Sequence, residues 1–116
     1  MDTKTARERL EEIRTELDKS ITVLNSSGEQ HRGSGDYPQD PADAGANLSE
    51  SERSEAVLAV ARRQRSDVLA ALRRIDLGTY GTCVDCGSPL PEGRLEAKPE
   101  AARCVACQAK LDRLRR

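Results

Sequence analysis

The sequence contains no phenylalanine and no tryptophan, and its two tyrosines bring the aromatic content to only 2%. Hydrophobic residues make up 36% of the 116 positions, and none of their runs is long enough to span a membrane. This shortage of apolar surface excludes a large compact core. With only two aromatic rings, the chain cannot form the stacking platforms on which single-stranded nucleic acids bind.

Charged residues are abundant, at 34% of the sequence, but the two signs are unevenly distributed. Residues 28–55 contain two basic and seven acidic side chains, whereas basic residues are in excess after residue 56. A general DNA-binding protein is expected to carry a clear basic face, so this pattern disfavours DNA binding. Residues 1–8 are polar and charged and contain no apolar export segment, so we expect a cytoplasmic protein.

The four cysteines of the chain form two Cys-x-x-Cys pairs, which are separated by 17 residues. We call residues 83–86 the first knuckle and residues 104–107 the second knuckle. Two such pairs supply the tetrahedral set of sulfurs that zinc prefers, with no position left for substrate. The spacing therefore predicts one structural Zn²⁺, held by Cys83, Cys86, Cys104 and Cys107.

Three other uses of these cysteines are compatible with parts of the pattern. Two disulfides would suit a secreted protein, for which no export segment is present. A thioredoxin-like redox pair would require a strand-helix-strand unit, which the sequence does not predict. Cys86-Gly87 fits half of a rubredoxin-type iron site, but the aromatic shell usual around such iron is missing. A closed metal site and a single histidine also leave no catalytic arrangement, so we expect the protein not to be an enzyme.

Two long helices are predicted before the cysteines, from about Thr5 to Ser26 and from Ser49 to Leu77. Each begins at a predicted capping box, and Gly78 suits a left-handed cap after the second helix. Apolar residues recur at steps of three and four at Ala6, Leu10, Ile13, Leu17, Ile21 and Leu24. A second series with the same steps contains Val57, Ala61, Val68, Leu72 and Ile75, with one polar break at Gln64. Two such seams predict an antiparallel coiled-coil hairpin. Self-association through the same seams is the alternative.

The predicted fold is mainly α, with two domains. Residues 1–77 form the helical hairpin with an acidic tip loop at residues 28–47. Residues 78–116 form a small four-cysteine zinc finger, in which residues 94–97 make a short strand or turn and a terminal helix runs from about Val105 to Arg115. Leu111 and Leu114 are expected to pack on the base of the hairpin.

The zinc module resembles the DksA/TraR family of bacterial C4 zinc-finger proteins. The resemblance depends on the two knuckles with their flanks and on the segment between them, Tyr80-Gly81-Thr82-Cys83-Val84-Asp85-Cys86-Gly87, Arg94-Leu95-Glu96-Ala97-Lys98-Pro99 and Ala102-Arg103-Cys104-Val105-Ala106-Cys107. It extends more loosely over the second helix and the tip. It implies a zinc-containing transcription regulator whose coiled-coil tip enters the secondary channel of RNA polymerase and modulates initiation, without sequence-specific DNA binding.

The resemblance also implies which tip residues contact the polymerase. Family members carry an Asp-x-x-Asp-x-Ala pattern at the tip, and this sequence matches it at Asp40 and Asp43 but has Gly45 in place of the alanine. Either these acids contact mobile elements near the active centre, or they help to hold a second magnesium ion, as in transcript-cleavage factors. We favour the first, because Pro41 stiffens the path between the two acids.

Some family members act with the nucleotide ppGpp. Lys98 matches one of the basic positions involved, but Asp67 and Gln108 stand where lysines are expected, so the resemblance argues against ppGpp. The longer members also have an N-terminal helical extension, which we expect this protein to lack. We expect a monomer. Two other classes remain open: a nucleic-acid-binding zinc ribbon that uses the arginines of the second helix and the C-terminal tail, and a helical scaffold or oligomerisation module.

Overall fold

A computed structural model describes the backbone of residues 1–33 and 41–115, and the side chains of residues 1–26, 50 and 52–115. It contains helices α1 (Thr3–Gly33), α2 (Pro41–Leu77), α3 (Glu92–Ala97) and α4 (Val105–Leu114). No strand lies in the described part of the chain, where the only pairing of extended backbone is an isolated antiparallel bridge between Thr82 and Pro89. The predicted mainly helical fold is confirmed.

Helix α1 begins two residues earlier than predicted, because Asp2 caps it instead of Thr5. The backbone N–H of Thr5 donates to Asp2 Oδ1 at 2.7 Å, and the N–H of Ala6 donates to the Asp2 carbonyl oxygen at 3.0 Å. The hydrogen bond from Thr5 lowers the pKa of the Asp2 carboxyl below its usual value. A carboxylate before the first turn also interacts favourably with the positive end of the helix dipole.

The predicted tip loop, residues 28–47, is too long. Helix α1 continues to Gly33 and α2 begins at Pro41, so the second predicted capping box, at Ser49, lies inside α2. Proline is accepted in the first turn of a helix, where its missing N–H has no partner to lose. The alanines that follow, and residues 29–32 of α1, favour helix strongly enough to offset the glycines. Residues 34–40 lie outside the described structure.

The described chain forms two compact units, which differ from the two predicted domains. One unit contains Met1–Arg14 and Ser66–Arg116, and the other contains Thr15–Arg65. The start of α1 and the end of α2 therefore belong to the same unit as the zinc module. Whether residues 78–116 fold independently, as the predicted boundary after Leu77 implies, stays a prediction.

Within the unit of Thr15–Arg65, the two helices run antiparallel. Asp18 of α1 accepts from Arg65 of α2 in an ion pair, and Asn25 further along α1 accepts from Arg62, earlier in α2. Ala61 is buried and Leu58 half-buried, but Val57 is 55% exposed. The predicted seam is therefore wrong at Val57, and its neighbour Leu58 is the more buried of the two.

The other unit has its core where the start of α1 meets the end of α2 and the cysteine-containing segment. The buried apolar residues there are Ala6, Leu10, Val68, Ala71, Leu72, Cys83, Leu90, Leu95 and Ala101. Arg7 of α1 also forms an ion pair with Asp76 of α2. As predicted, α2 ends at a left-handed glycine, Gly78 with φ of 76°, after which Thr79 N–H donates to the Arg74 carbonyl oxygen.

Candidate metal centre

The first knuckle is a tight turn that its backbone hydrogen bonds stabilise. Cys83 N–H donates to the Ser88 carbonyl oxygen at 2.8 Å, and Gly87 N–H donates back to that of Cys83 at 3.0 Å. Gly87 has φ of 76°, a left-handed conformation that glycine adopts without steric cost. The turn therefore depends on Gly87. It brings the Cys83 and Cys86 sulfurs within 4.8 Å of each other.

The second knuckle lies at the start of helix α4. Cys104 is the N-cap of this helix, and its Sγ accepts a hydrogen bond from the Cys107 backbone N–H at 3.5 Å. The helical turn from residue 104 to residue 107 therefore brings the two thiols of the second knuckle together. The predicted terminal helix is confirmed. Leu114 is 83% exposed, so its expected burial on the base of the hairpin is wrong.

The structure brings the four predicted ligands into a single cluster. The sulfur atoms of Cys83, Cys86, Cys104 and Cys107 all lie within 4.8 Å of one another. Zinc–sulfur bonds of about 2.3 Å in a tetrahedron place the sulfurs about 3.8 Å apart. The Cys86 and Cys104 sulfurs, at 3.9 Å, already have this separation. The cluster therefore fits one zinc ion with four thiolate ligands.

The thiols of Cys83, Cys86 and Cys107 differ in how readily they lose a proton. Backbone N–H donors, first that of Cys86 and then that of Cys104, lower the pKa of the Cys83 thiol to about 6. The Ser88 hydroxyl and backbone likewise lower the pKa of Cys86. A hydrogen bond with the Cys104 thiol, followed by burial, raises the pKa of Cys107 to about 12. Zinc coordinates thiolates, so its binding must release the protons that the cluster retains.

Contacts from α1, from the N-terminus and from Tyr80 hold the segment between the knuckles. Arg9 of α1 donates to the Glu96 carbonyl oxygen at 2.7 Å, and the Tyr80 hydroxyl donates to that of Pro99 at 2.9 Å. The Met1 amino group contacts Glu92 at 2.8 Å. Residues 94–97, predicted as a short strand or turn, lie in helix α3, which buries Leu95 against Cys83 and Leu90. The Arg-Leu-Glu-Ala segment therefore packs the module through its leucine.

Sequence reasoning missed the environment of Glu100, since a glutamate is ordinarily exposed to solvent or paired. Glu100 is only 6% exposed, and its Oε2 has no hydrogen-bond partner among the described residues. A buried, unpartnered carboxylate oxygen costs stability. Its neighbours Pro99 and Ala101 are also buried, and no local pattern in the sequence marks this burial.

We expect Glu100→Leu to raise the free energy of unfolding by about 1 kcal/mol, because an apolar side chain of similar size needs no partner. Urea unfolding of the zinc-loaded protein, followed by circular dichroism, measures the change. Glu96→Leu is the control, since Glu96 is exposed and only its backbone oxygen accepts from Arg9. If Glu100→Leu destabilises the protein and the control does not, the buried carboxylate itself is stabilising.

The predicted tip residues are not part of this centre. Asp40 lies outside the described residues. Asp43 and Gly45 lie in the first turns of α2, but the side chain of Asp43 is outside the described structure. The contact of these residues with a polymerase therefore stays a prediction. None of the described helices combines the length and apolar character that crossing a bilayer requires.

Comparison with known proteins identifies the family. Residues 78–113 match the family model of the prokaryotic dksA/traR C4-type zinc finger. The RNA polymerase-binding transcription factor DksA of Caulobacter vibrioides is 31% identical over 106 residues, which cover 91% of this chain and 70% of that protein. The chain belongs to the DksA/TraR family. One structural zinc ion is therefore its cofactor, since the family is a C4 zinc finger and the four thiols cluster.

One further relative and one solved structure are also similar to this chain. General stress protein 16O of Bacillus subtilis is 34% identical over 71 residues, 61% of this chain and 44% of that protein. The structure of transcription factor DksA2 from Pseudomonas aeruginosa matches with a TM-score of 0.78 and 22% identity, and the match covers 97% of this chain and 84% of that one. The structural match confirms the fold of a helical hairpin with a C-terminal zinc module.

Proposed function

We propose that this protein is a transcription regulator that binds RNA polymerase directly, with Cys83, Cys86, Cys104 and Cys107 as the ligands of its structural zinc. The observation that carries the proposal is the 31% identity, over 91% of this chain, to a protein named as an RNA polymerase-binding transcription factor. The match extends well beyond the zinc finger, so it includes both long helices. A closed four-sulfur site supports a structural role for the metal.

In this proposal, the segment around residues 40–45 enters the secondary channel of the polymerase and modulates initiation. Asp40 and Asp43 are the contact residues, and the acidic excess of residues 28–55 supports this assignment. A polymerase active centre binds nucleotide phosphates through basic residues, and its positive field attracts such a segment. Gly45 removes a methyl group from the contact and frees the backbone locally. We propose that the protein acts in the cytoplasm as a monomer.

The proposal includes no sequence-specific DNA contact and no ppGpp. Two arginines of α2 that a nucleic-acid-binding ribbon would use have partners within the chain, since Arg65 pairs with Asp18 and Arg62 donates to Asn25. Lys98 is exposed and supplies one cation, but Asp67 is exposed as well. Its negative charge would repel a phosphate-rich ligand.

A pull-down with core RNA polymerase, combined with the lifetime of promoter complexes, tests the proposal. We expect the wild-type protein to retain the polymerase and to alter that lifetime. The double variant Asp40→Asn, Asp43→Asn should weaken the effect on the order of tenfold, because the charged contacts are lost. Zinc content and helical signal should not change.

The control is the double variant Asp67→Asn, Asp112→Asn, which removes the same charge elsewhere in the sequence and should behave as wild type. If the wild-type protein does not retain core polymerase, the proposed function is wrong. If it does, but the variant at residues 40 and 43 acts as wild type, only the assignment of the contact residues is wrong.

A further inference from the structure

Three contacts join the first knuckle to the residues that lead into the second, and each joins positions 18 residues apart. Val84 N–H donates to the Ala102 carbonyl oxygen at 2.9 Å, Arg103 Nε donates to Asp85 Oδ2 at 2.7 Å, and the sulfurs of Cys86 and Cys104 lie 3.9 Å apart. We call residues 84–86 and 102–104 the cross-knuckle ladder. Its last pair consists of two of the proposed zinc ligands.

The middle contact is an ion pair between the residues that immediately precede those two ligands. Asp85 is bonded to Cys86, and Arg103 is bonded to Cys104. The side chain of Arg103 is 28% exposed and that of Asp85 47%, so the pair is only partly in solvent. A constraint on the Asp85–Arg103 distance therefore acts one residue away from each sulfur.

Arg103 is also held from its other side. Arg94 of helix α3 donates from Nε to the Arg103 carbonyl oxygen at 2.7 Å. The backbone of Arg103 is thus fixed by α3, while its side chain reaches across to the first knuckle. Each of these contacts is directional and charge-assisted, and such hydrogen bonds are stronger than neutral ones. The second knuckle is therefore positioned by the protein as well as by a metal.

We infer that Asp85 and Arg103 are positioning residues for zinc retention: their ion pair keeps Cys86 and Cys104 at the separation that the metal requires. The inference depends on the proposed ligand set, because it concerns two of its four sulfurs. Residues that orient metal ligands through a second layer of hydrogen bonds commonly change metal affinity when they are replaced. When the pair is broken, the two knuckles separate more readily and the ion leaves faster.

A simple charge effect predicts a different result. Four thiolates and one Zn²⁺ carry a net charge of −2, so Arg103 would stabilise the centre by attraction and Asp85 would destabilise it by repulsion. Replacing Asp85 with asparagine would then slow zinc loss. If the ion pair acts by positioning, the same substitution accelerates zinc loss. The sign of this one measurement distinguishes the two explanations.

The experiment measures zinc release from the loaded full-length protein into an excess of a chromophoric chelator. We expect Asp85→Asn and Arg103→Gln each to accelerate release by roughly 3- to 10-fold, the low end of ligand-orienting effects because the pair is partly exposed. The double variant should release zinc about as fast as either single variant, since both remove the same contact. The exchanged pair, Asp85→Arg with Arg103→Asp, should restore much of the retention.

The ion pair between Arg7 and Asp76 supplies the control, because it joins α1 to α2 in the same unit without contacting a knuckle. Arg7→Gln should leave the release rate unchanged. The visible spectrum of the cobalt-substituted protein should shift in the Asp85 and Arg103 variants and not in the control, which separates ligand geometry from general stability.

Slower or unchanged release from Asp85→Asn, or additive effects in the double variant, would overturn the inference. Each preparation is first analysed for zinc. If the wild type and both single variants each contain one zinc per chain but the variants release it more slowly than the wild type, the positioning role of Asp85 and Arg103 is wrong and the ligand set stands. A wild-type protein without zinc rejects the ligand set itself.

Discussion

Cys107→Ser is expected to abolish stoichiometric zinc binding and to unfold most of residues 78–115. The described buried core of this segment is small: it contains the cluster of Cys83, Leu90 and Leu95 and the short side chains of Pro99 and Ala101. So small a core cannot offset the conformational entropy of ordering the chain. Zinc contributes about 10–16 kcal/mol in small zinc modules, and in such proteins this binding energy is folding energy. Serine offers no thiolate, so the substitution removes much of that stabilisation.

Metal analysis and amide hydrogen exchange test this expectation. Zinc should fall from one per chain to near zero, and amides of residues 78–115 should lose protection. Most of the helical signal of α1 and α2 should persist, because Ala6, Leu10 and Val68 are buried there. Val84→Ala is the matched control: Val84 lies in the first knuckle, is 49% exposed and offers no ligand. Tight binding of one zinc by Cys107→Ser would show that the ligand set is wrong.

Leu10→Ala is expected to lower the free energy of unfolding by about 2–5 kcal/mol, the range for a buried leucine that leaves a cavity. Leu10 of α1 is fully buried, in the unit that also contains the zinc module. Urea unfolding of the zinc-loaded protein should show a lower midpoint with an unchanged slope.

The matched control is Leu77→Ala, because Leu77 also lies in this unit, at the end of α2, but is 69% exposed. Its replacement should change stability by less than about 0.5 kcal/mol. Equal losses from the two substitutions would mean that Leu10 does not lie in the core of the unit.

The sequence predicted those features that local chemistry determines. The spacing of the four cysteines is sufficient to identify a zinc site, since few other structures use two Cys-x-x-Cys pairs. Gly78 ends α2 as predicted because a left-handed residue is needed there. The resemblance to the DksA/TraR family, noted from residues 80–107, is confirmed by a relative that covers most of the chain.

The errors occurred where tertiary packing or competing propensities decide. Val57 and Leu58 are adjacent apolar residues, and only tertiary packing decides which of them is buried. The helix limits near residues 33 and 41 depend on a balance between glycines, alanines and a proline that no single signal determines. The burial of Glu100 follows from how residues 99–101 pack within the unit, and no local pattern marks it. The ion pair between Asp85 and Arg103 likewise joins residues that the fold alone brings together.

Cys104 serves as both the cap of α4 and one of the clustered thiols. A sulfur that moves away from the cluster also leaves the Cys107 N–H without its acceptor. Departure of the ion and fraying of the first turn of α4 are therefore a single event. Any surface that this terminal helix presents to another molecule exists in its full form only while the metal is in place.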